Sequence, residues 1–338
     1  MTNLVNKALR FLPCLALPLA TACGPQDSAA DAGPDKFRDA IPSADDLKLR
    51  TPGGDVATGT TSERPGARVQ SPSGASGYAQ FYRLTRAIFD GVNAGTSIVL
   101  GTIWIVAHTP PTSTSEHEAV WGPGADALSP AEWRLRITEV SAGKFTFAWE
   151  GRKKGSSDAF RATMTGTGYG KADPRHGVGQ LVIDYDAAND LDPARLWGEG
   201  TSGTLTLDYD VTGLPSLGGA STIHVVARPT KDDRAFEVTA KREGRGGGGR
   251  VDFTTHDDVD DAKKTAAEDV SLHSRWAADG SGRAEVTIAG GDVPTTVSAV
   301  HVTECWSKDF ARSFYTDDVG ITATDGNAAL CAFATASE

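Results

Sequence analysis

The chain has 338 residues, with 33 Lys and Arg against 44 Asp and Glu and a formal net charge of −11. An acidic balance of this size repels phosphate backbones and anionic lipid surfaces, so nucleic acid is excluded as an expected partner. Hydrophobic residues, 39% of the total, suffice for a sizeable core, while four cysteines are too few for a disulfide scaffold.

Residues 1–22 carry Lys7 and Arg10, then an apolar run from Phe11 to Leu19, then Ala20, Thr21 and Ala22 before Cys23. A short basic region, an apolar stretch and small residues before a cut describe a secretory signal peptide, too short to span a bilayer. The cysteine directly after those small residues resembles the lipobox of bacterial lipoproteins, with Ala20 where that family prefers Leu, Val or Ile. The resemblance implies that Cys23 is lipidated, becomes the first mature residue and anchors the protein to a membrane. Gly24 in place of Asp implies, by the same resemblance, the outer membrane. The plainer alternative is an ordinary signal peptide followed by an incidental cysteine.

Residues 23–76 are mostly Gly, Pro, Ser, Ala, Asp and Thr. They bury too little surface to offset chain entropy and read as a disordered tether. About fifty such residues would reach on the order of 40 Å. Residues 77–338 then form a single β-rich domain. It opens with an apolar pattern at Phe81, Leu84, Ile88 and Val92, continued by Val99, Ile103 and Val106 and stopped by Pro110-Pro111. This spacing predicts a long N-terminal helix over 78–107.

Beyond Pro111 the period changes to two. Trp133, Leu135 and Ile137 alternate with Arg134, Arg136 and Thr138, and Phe145, Phe147 and Trp149 alternate with Thr146 and Ala148. The pattern continues through Val251, Val270 and Val286, with Asp279-Gly280 as a hairpin signal. Eleven or twelve strands on short polar turns predict a mainly β fold: a large antiparallel meander, curved into a half-barrel or barrel-like form and packed on the helix. The stretch 179–186 echoes 203–210, and the two read as equivalent strands of one sheet.

Chemistry is sparse. No G-x-S-x-G elbow and no HExxH occur, and the seven histidines have no zinc-type spacing. His273 and His301 read as rim residues of polar strand faces. Gly244–Gly249 satisfies GxGxxG but joins two strands, so it reads as a hairpin tip rather than a dinucleotide loop. Asp184, Asp186, Asp190 and Asp192 crowd one strand end and are candidate Ca²⁺ ligands, the alternative being a solvated acidic face. Cys14 falls in the leader and Cys23 in the anchor, which leaves Cys305 and Cys331. In an exported chain, and without spaced partners for metal or catalysis, these two are expected to form a structural disulfide worth roughly 3.5 kcal/mol. Val300–Trp306, followed by Phe310, Phe314 and Tyr315, resembles segments of uncharacterised lipoproteins of myxobacterial type; that resemblance implies no activity.

No acid, base or nucleophile constellation is visible, so an enzyme is not expected. The expectation is a membrane-anchored envelope lipoprotein, held through Cys23, with a non-catalytic binding role for a lipid or other apolar ligand. Trp133, Phe145, Phe147 and Trp149 would line its concave face, or else fill an ordinary core. The alternative function is a structural or protein-interaction lipoprotein with an envelope protein as partner. An apolar cavity of several hundred Å³ between helix and sheet would mark the carrier.

Overall fold

The computed structural model of the chain describes residues 35–42, 44–50, 77–125, 127–170, 176–193, 202–231, 235–245, 247–258 and 266–337. The expected signal peptide and Cys23 lie outside them. The described chain is mainly β. Helices α1 (Asp35–Asp39) and α2 (Gln80–Ala107) precede the strands, and α3 (Tyr185–Leu191) interrupts them. The strands are β1 (Ser113–Thr114), β2 (Glu118–Gly124), β3 (Ala131–Ser141), β4 (Lys144–Lys153), β5 (Arg161–Tyr169), β6 (Val178–Asp184), β7 (Thr204–Asp210), β8 (Ser221–Arg228), β9 (Phe236–Arg242), β10 (Gly249–Asp257), β11 (Glu268–Trp276), β12 (Gly282–Gly290), β13 (Ala299–Trp306), β14 (Arg312–Asp317) and β15 (Asp325–Gly326). They follow one another in a 15-stranded sheet in sequence order. The order is open, with β1 and β15 as its ends, so the strands form a meander and not a closed barrel. The chain divides into two compact units.

One unit takes in Leu49–Val92 and Asp233–Glu338, hence the first half of α2 and β9–β15. Alternation builds its strands: Val251 and Phe253 are buried while Asp252 and Thr254 between them are not. The α2 residues Phe81, Leu84, Ile88 and Val92 are buried at helical spacing. Phe89 meets Trp276 edge-on at 5.6 Å, and the buried hydroxyls of Thr85 and Ser274 are bonded at 2.9 Å. Glycines sit opposite the large rings. Gly249 pairs with Trp276 and Gly282 with Trp306, and a Cβ on Gly282 would lie 2.2 Å from the Trp306 ring. Cys305 and Cys331 are joined in a disulfide with Cα atoms 5.3 Å apart.

The other unit runs over Asn93–Asp232 together with the segment that ends at Lys48. Its core gathers Trp121, Leu135, Ile137, Phe147 and Ile183 from the strands, Ile103 and Ala107 from α2, and Phe37, Ala40 and Ile41 from in and just after α1. Of the expected tether across 23–76, residues 35–42 and 44–50 are described and carry buried side chains, and the rest lies outside the described residues. Phe37 is 0% exposed and meets Phe145 edge-on at 6.2 Å, and Leu47 is also fully buried. The physical reason is local. Phe37, Ile41 and Leu47 are few, but each is large enough to seat a segment whose average composition reads as unstructured. Lys36 Nζ donates to Glu139 Oε2 at 2.7 Å, and Arg38 Nε donates to the carbonyl of Ala107 at 2.8 Å. Residues 35–42 and 44–48 therefore belong to this unit.

Candidate binding surface

Strands β3–β8 present two faces. The inner face holds the four aromatics expected to line an apolar ligand site. Trp133, Phe145, Phe147 and Trp149 are 8%, 2%, 4% and 9% exposed, and all four belong to the packed cluster with Phe37, Ile103 and Ala107. Of the two sequence alternatives, the structure takes the ordinary core. The rings are covered by α2 and by the α1 segment that had been read as tether.

The β5 sequence Thr165-Gly166-Thr167-Gly168 explains how the inner face closes. Its glycines point inward, where a Cβ on Gly166 would lie 2.5 Å from Leu181 Cδ2 and 2.9 Å from the carbonyl of Gln180. Only hydrogen fits there beneath Phe147, and the threonines take the other face. Tyr185 and Tyr209 also lie in the interior. Burial pushes the Tyr185 hydroxyl up to about 12 and that of Tyr209 higher still, so neither exchanges protons near neutral pH.

On the outer face a trough of about 310 Å³ crosses β3–β6, lined by Arg136, Thr138, Thr146, Ala148, Thr165, Thr167, Gln180 and Val182, with Phe147 and Gly166 at its floor. Register explains why these residues meet. Thr138 pairs with Thr146, Thr146 with Thr167, and Thr167 with Gln180, so one row of hydroxyls runs across four strands into an amide. The neighbouring row is Arg136, Ala148, Thr165 and Val182, where Thr methyl groups and aliphatic side chains alternate with polar atoms. One step along the strands, Tyr169 pairs with Val178, and both rims are exposed, at 43% and 40%.

Charge on this face is balanced locally. Arg134 Nε and Arg136 Nη2 reach the two oxygens of the 5% exposed Glu150 at 2.6 and 2.8 Å. Gln180 donates to Asp208 at 2.7 Å, and His224 lies 3.6 Å from the same carboxyl group. The trough thus offers hydroxyls, an amide and short apolar steps, with Arg136 paired to Glu150 at its edge. Sequence reading missed it because each threonine, taken alone, is an ordinary outward strand residue. The signal lay in the alternation of threonine and glycine on β5 combined with the register of its neighbours.

The four aspartates expected as calcium ligands do not converge. The Tyr185-Asp186 end of the repeated motif turns into α3 instead of extending the strand. Asp184 caps that helix by accepting from Ala187 N at 2.8 Å, Asp186 accepts from Thr230 Oγ1 at 2.8 Å, and Asp190 pairs with Arg161 at 3.2 Å. Asp192 is buried at the far end of the helix. Helical geometry fans the carboxylates around an axis, and among the described residues no three His, Cys, Asp or Glu side chains stand where they could hold a metal ion.

His273 and His301 lie on strand faces. His273 Nδ1 lies 2.7 Å from Asp252, and His301 Nδ1 lies 3.1 Å from Thr287. The glycine run falls between the end of β9 and the start of β10. Among the described residues no helix is long and apolar enough to cross a membrane. No family model, curated protein or solved structure matches the chain.

Proposed function

We propose that this is an envelope lipoprotein, anchored through Cys23 to the outer membrane, whose role is non-catalytic binding through the outer trough of β3–β6. In this reading strands β3–β6 present their polar face outward. The ligand class that fits is neutral and rich in hydroxyl groups, as a glycan is. Rows of Thr hydroxyls and the Gln180 amide give and accept hydrogen bonds, and Tyr169 offers an exposed ring at the rim for stacking. The observation that carries the reading is the contrast of the two faces. The aromatic face is filled by the protein's own side chains, which speaks against a lipid carrier, while the polar face is open.

Co-sedimentation of the purified full chain with insoluble cell-wall polysaccharide tests it. Retention that drops in the Thr165→Val/Thr167→Val double variant supports the trough as the site. Equal retention of the two proteins, or none of either, overturns it. A stoichiometric lipid in an organic extract of the purified protein would restore the carrier alternative.

A further inference from the structure

The N-terminal segment has a geometric consequence at the far end of α2. The described residues begin at Asp35, twelve positions after Cys23. Whatever its conformation, that length spans at most about 40 Å. The point where it joins the folded unit is also fixed. Arg38, in the middle of α1, donates through Nε to the carbonyl of Ala107 and through Nη2 to that of Thr109, at 2.8 and 3.3 Å. The chain coming from Cys23 therefore enters the unit beside the C-terminal end of α2.

That same end carries exposed apolar side chains. Trp104 is 53% exposed and Ile105 41%, and His108 stacks on the Trp104 ring with centroids 3.9 Å apart. The five other described tryptophans are all 9% exposed or less. From Gly91 to Ser115 the sequence holds no Asp, Glu, Lys or Arg, although the chain as a whole is strongly acidic. A half-exposed indole and an aliphatic neighbour on an uncharged stretch of chain suit the headgroup region of a bilayer, where Trp is enriched, and the Arg38 guanidinium beside them is bonded to backbone carbonyls.

We infer that the C-terminal end of α2, with Trp104 and Ile105 outermost, rests in the interfacial layer of the membrane to which Cys23 anchors the chain. The inference depends on the lipid-anchor reading of Cys23. It replaces a body free to stand off the membrane by one held against it through two contacts. The acyl chains are the first, and the Trp104–Ile105 corner is the second, acting at short range once the chain is anchored. The acidic surface elsewhere does not oppose this arrangement on a zwitterionic leaflet, because the charge nearest the corner is the Arg38 guanidinium, bonded to the Ala107 and Thr109 carbonyls.

The test uses the full chain purified from membranes and reconstituted in phosphatidylcholine vesicles whose acyl chains carry bromine near their carbonyl end. The mass of the N-terminal peptide reports the acyl groups on Cys23 in the same sample. The expected result is an acylated Cys23 and bromine-dependent quenching of tryptophan emission, more than half of which disappears in Trp104→Phe. That variant keeps the corner apolar and leaves the buried core untouched. Acylated protein whose quenching is absent, or equal in wild type and Trp104→Phe, overturns the inference while the anchor stands. An unmodified Cys23 overturns the anchor and the inference with it. Shielding of Trp104 that follows protein concentration and not bromine assigns the corner to a second copy of the chain, which also overturns it.

Discussion

The carboxylate of Glu304 accepts a hydrogen bond from the backbone N–H of Phe81 at 2.6 Å, although 223 residues separate them. Helix α2 has no acidic residue in its first turn, so the donors at its start are met from strand β13. The other oxygen of Glu304 accepts from Arg312 Nε at 2.8 Å, and the side chain is fully buried. Removing such a group leaves backbone donors and a guanidinium without their acceptor. Glu304→Ala is expected to cost about 3–5 kcal/mol of unfolding free energy in urea titration. Glu304→Gln keeps the shape and one of the two acceptors but turns its NH2 toward the other donor, so it is expected to cost less than Glu304→Ala without restoring wild-type stability.

The same residue sets a pH signature. Burial pushes the Glu304 carboxyl above the ordinary glutamate value, against the pull of the Phe81 and Gln80 N–H groups and Arg312. Between the unfolded and the folded values the native state then binds more protons than the unfolded chain. The Glu304 contribution to stability therefore falls as pH rises through that interval. Expressed as wild type minus Glu304→Gln, unfolding free energy should decline from pH 4 upward, and a difference that grows with pH would contradict the assignment.

The meander was legible because period-two alternation survives in single strands such as Trp133–Thr138 and Phe145–Trp149. What sequence could not supply was cross-strand register and the turn of one strand end into a helix. Threonines 138, 146 and 167 align only once β3, β4 and β5 are paired, and the four aspartates disperse only once Tyr185–Leu191 is a helix. Burial of Phe37, Ile41 and Leu47 was not legible for a different reason. Composition averaged over fifty residues hides these three large side chains, and Phe37 packs in the core together with Ala40 and Ile41.

Seating of α1 predicts a coupled response. Phe37→Ala empties a fully buried position and is expected to cost about 3–5 kcal/mol. The hydrogen bond from Lys36 holds the Glu139 carboxyl below the ordinary glutamate value. Its contribution is present above the unfolded value and is lost as pH falls through the folded one. Amide exchange over residues 36–41, corrected for intrinsic rates, should therefore accelerate below pH 4 in wild type, and Glu139→Gln should already exchange faster at pH 7.

The disulfide fastens the end of the chain to a fully buried strand position. Cys305 is 0% exposed on β13, and beyond Cys331 the ring of Phe333 lies 4.5 Å from the Arg275 guanidinium. Cys331→Ser is expected to lower stability by about 2–4 kcal/mol. Exchange should rise first over residues 325–337 while β10–β12 stay protected. Uniform loss of protection would show that the bond supports the whole unit and not its terminus.

Dispersal of Asp184, Asp186, Asp190 and Asp192 predicts indifference to calcium. A ligand that binds only the native state at a hundred times its Kd adds about 2.7 kcal/mol, which a melting curve resolves easily. The melting temperature with millimolar Ca²⁺ should equal that with chelator. An upward shift abolished by Asp190→Asn would reinstate the site.

The two faces of β5 should respond oppositely to substitution. Inward Gly166 faces the Leu181 side chain and the Gln180 carbonyl, and the carbonyl cannot move without breaking the ladder to β6. Gly166→Ala is therefore expected to destabilise by about 1–3 kcal/mol through overpacking. One residue earlier, Thr165 is exposed and borders the trough. Thr165→Val removes a hydroxyl that lines open space and should leave stability within about 0.5 kcal/mol, as surface changes usually do. Chemical denaturation of both variants, paired with the polysaccharide retention assay, separates fold from function. A Thr165→Val protein that is stable but binds less places the hydroxyl on the ligand. One that unfolds as readily as Gly166→Ala would make the threonine rows part of the sheet's own stability, and the outer face would lose its claim to be a binding surface.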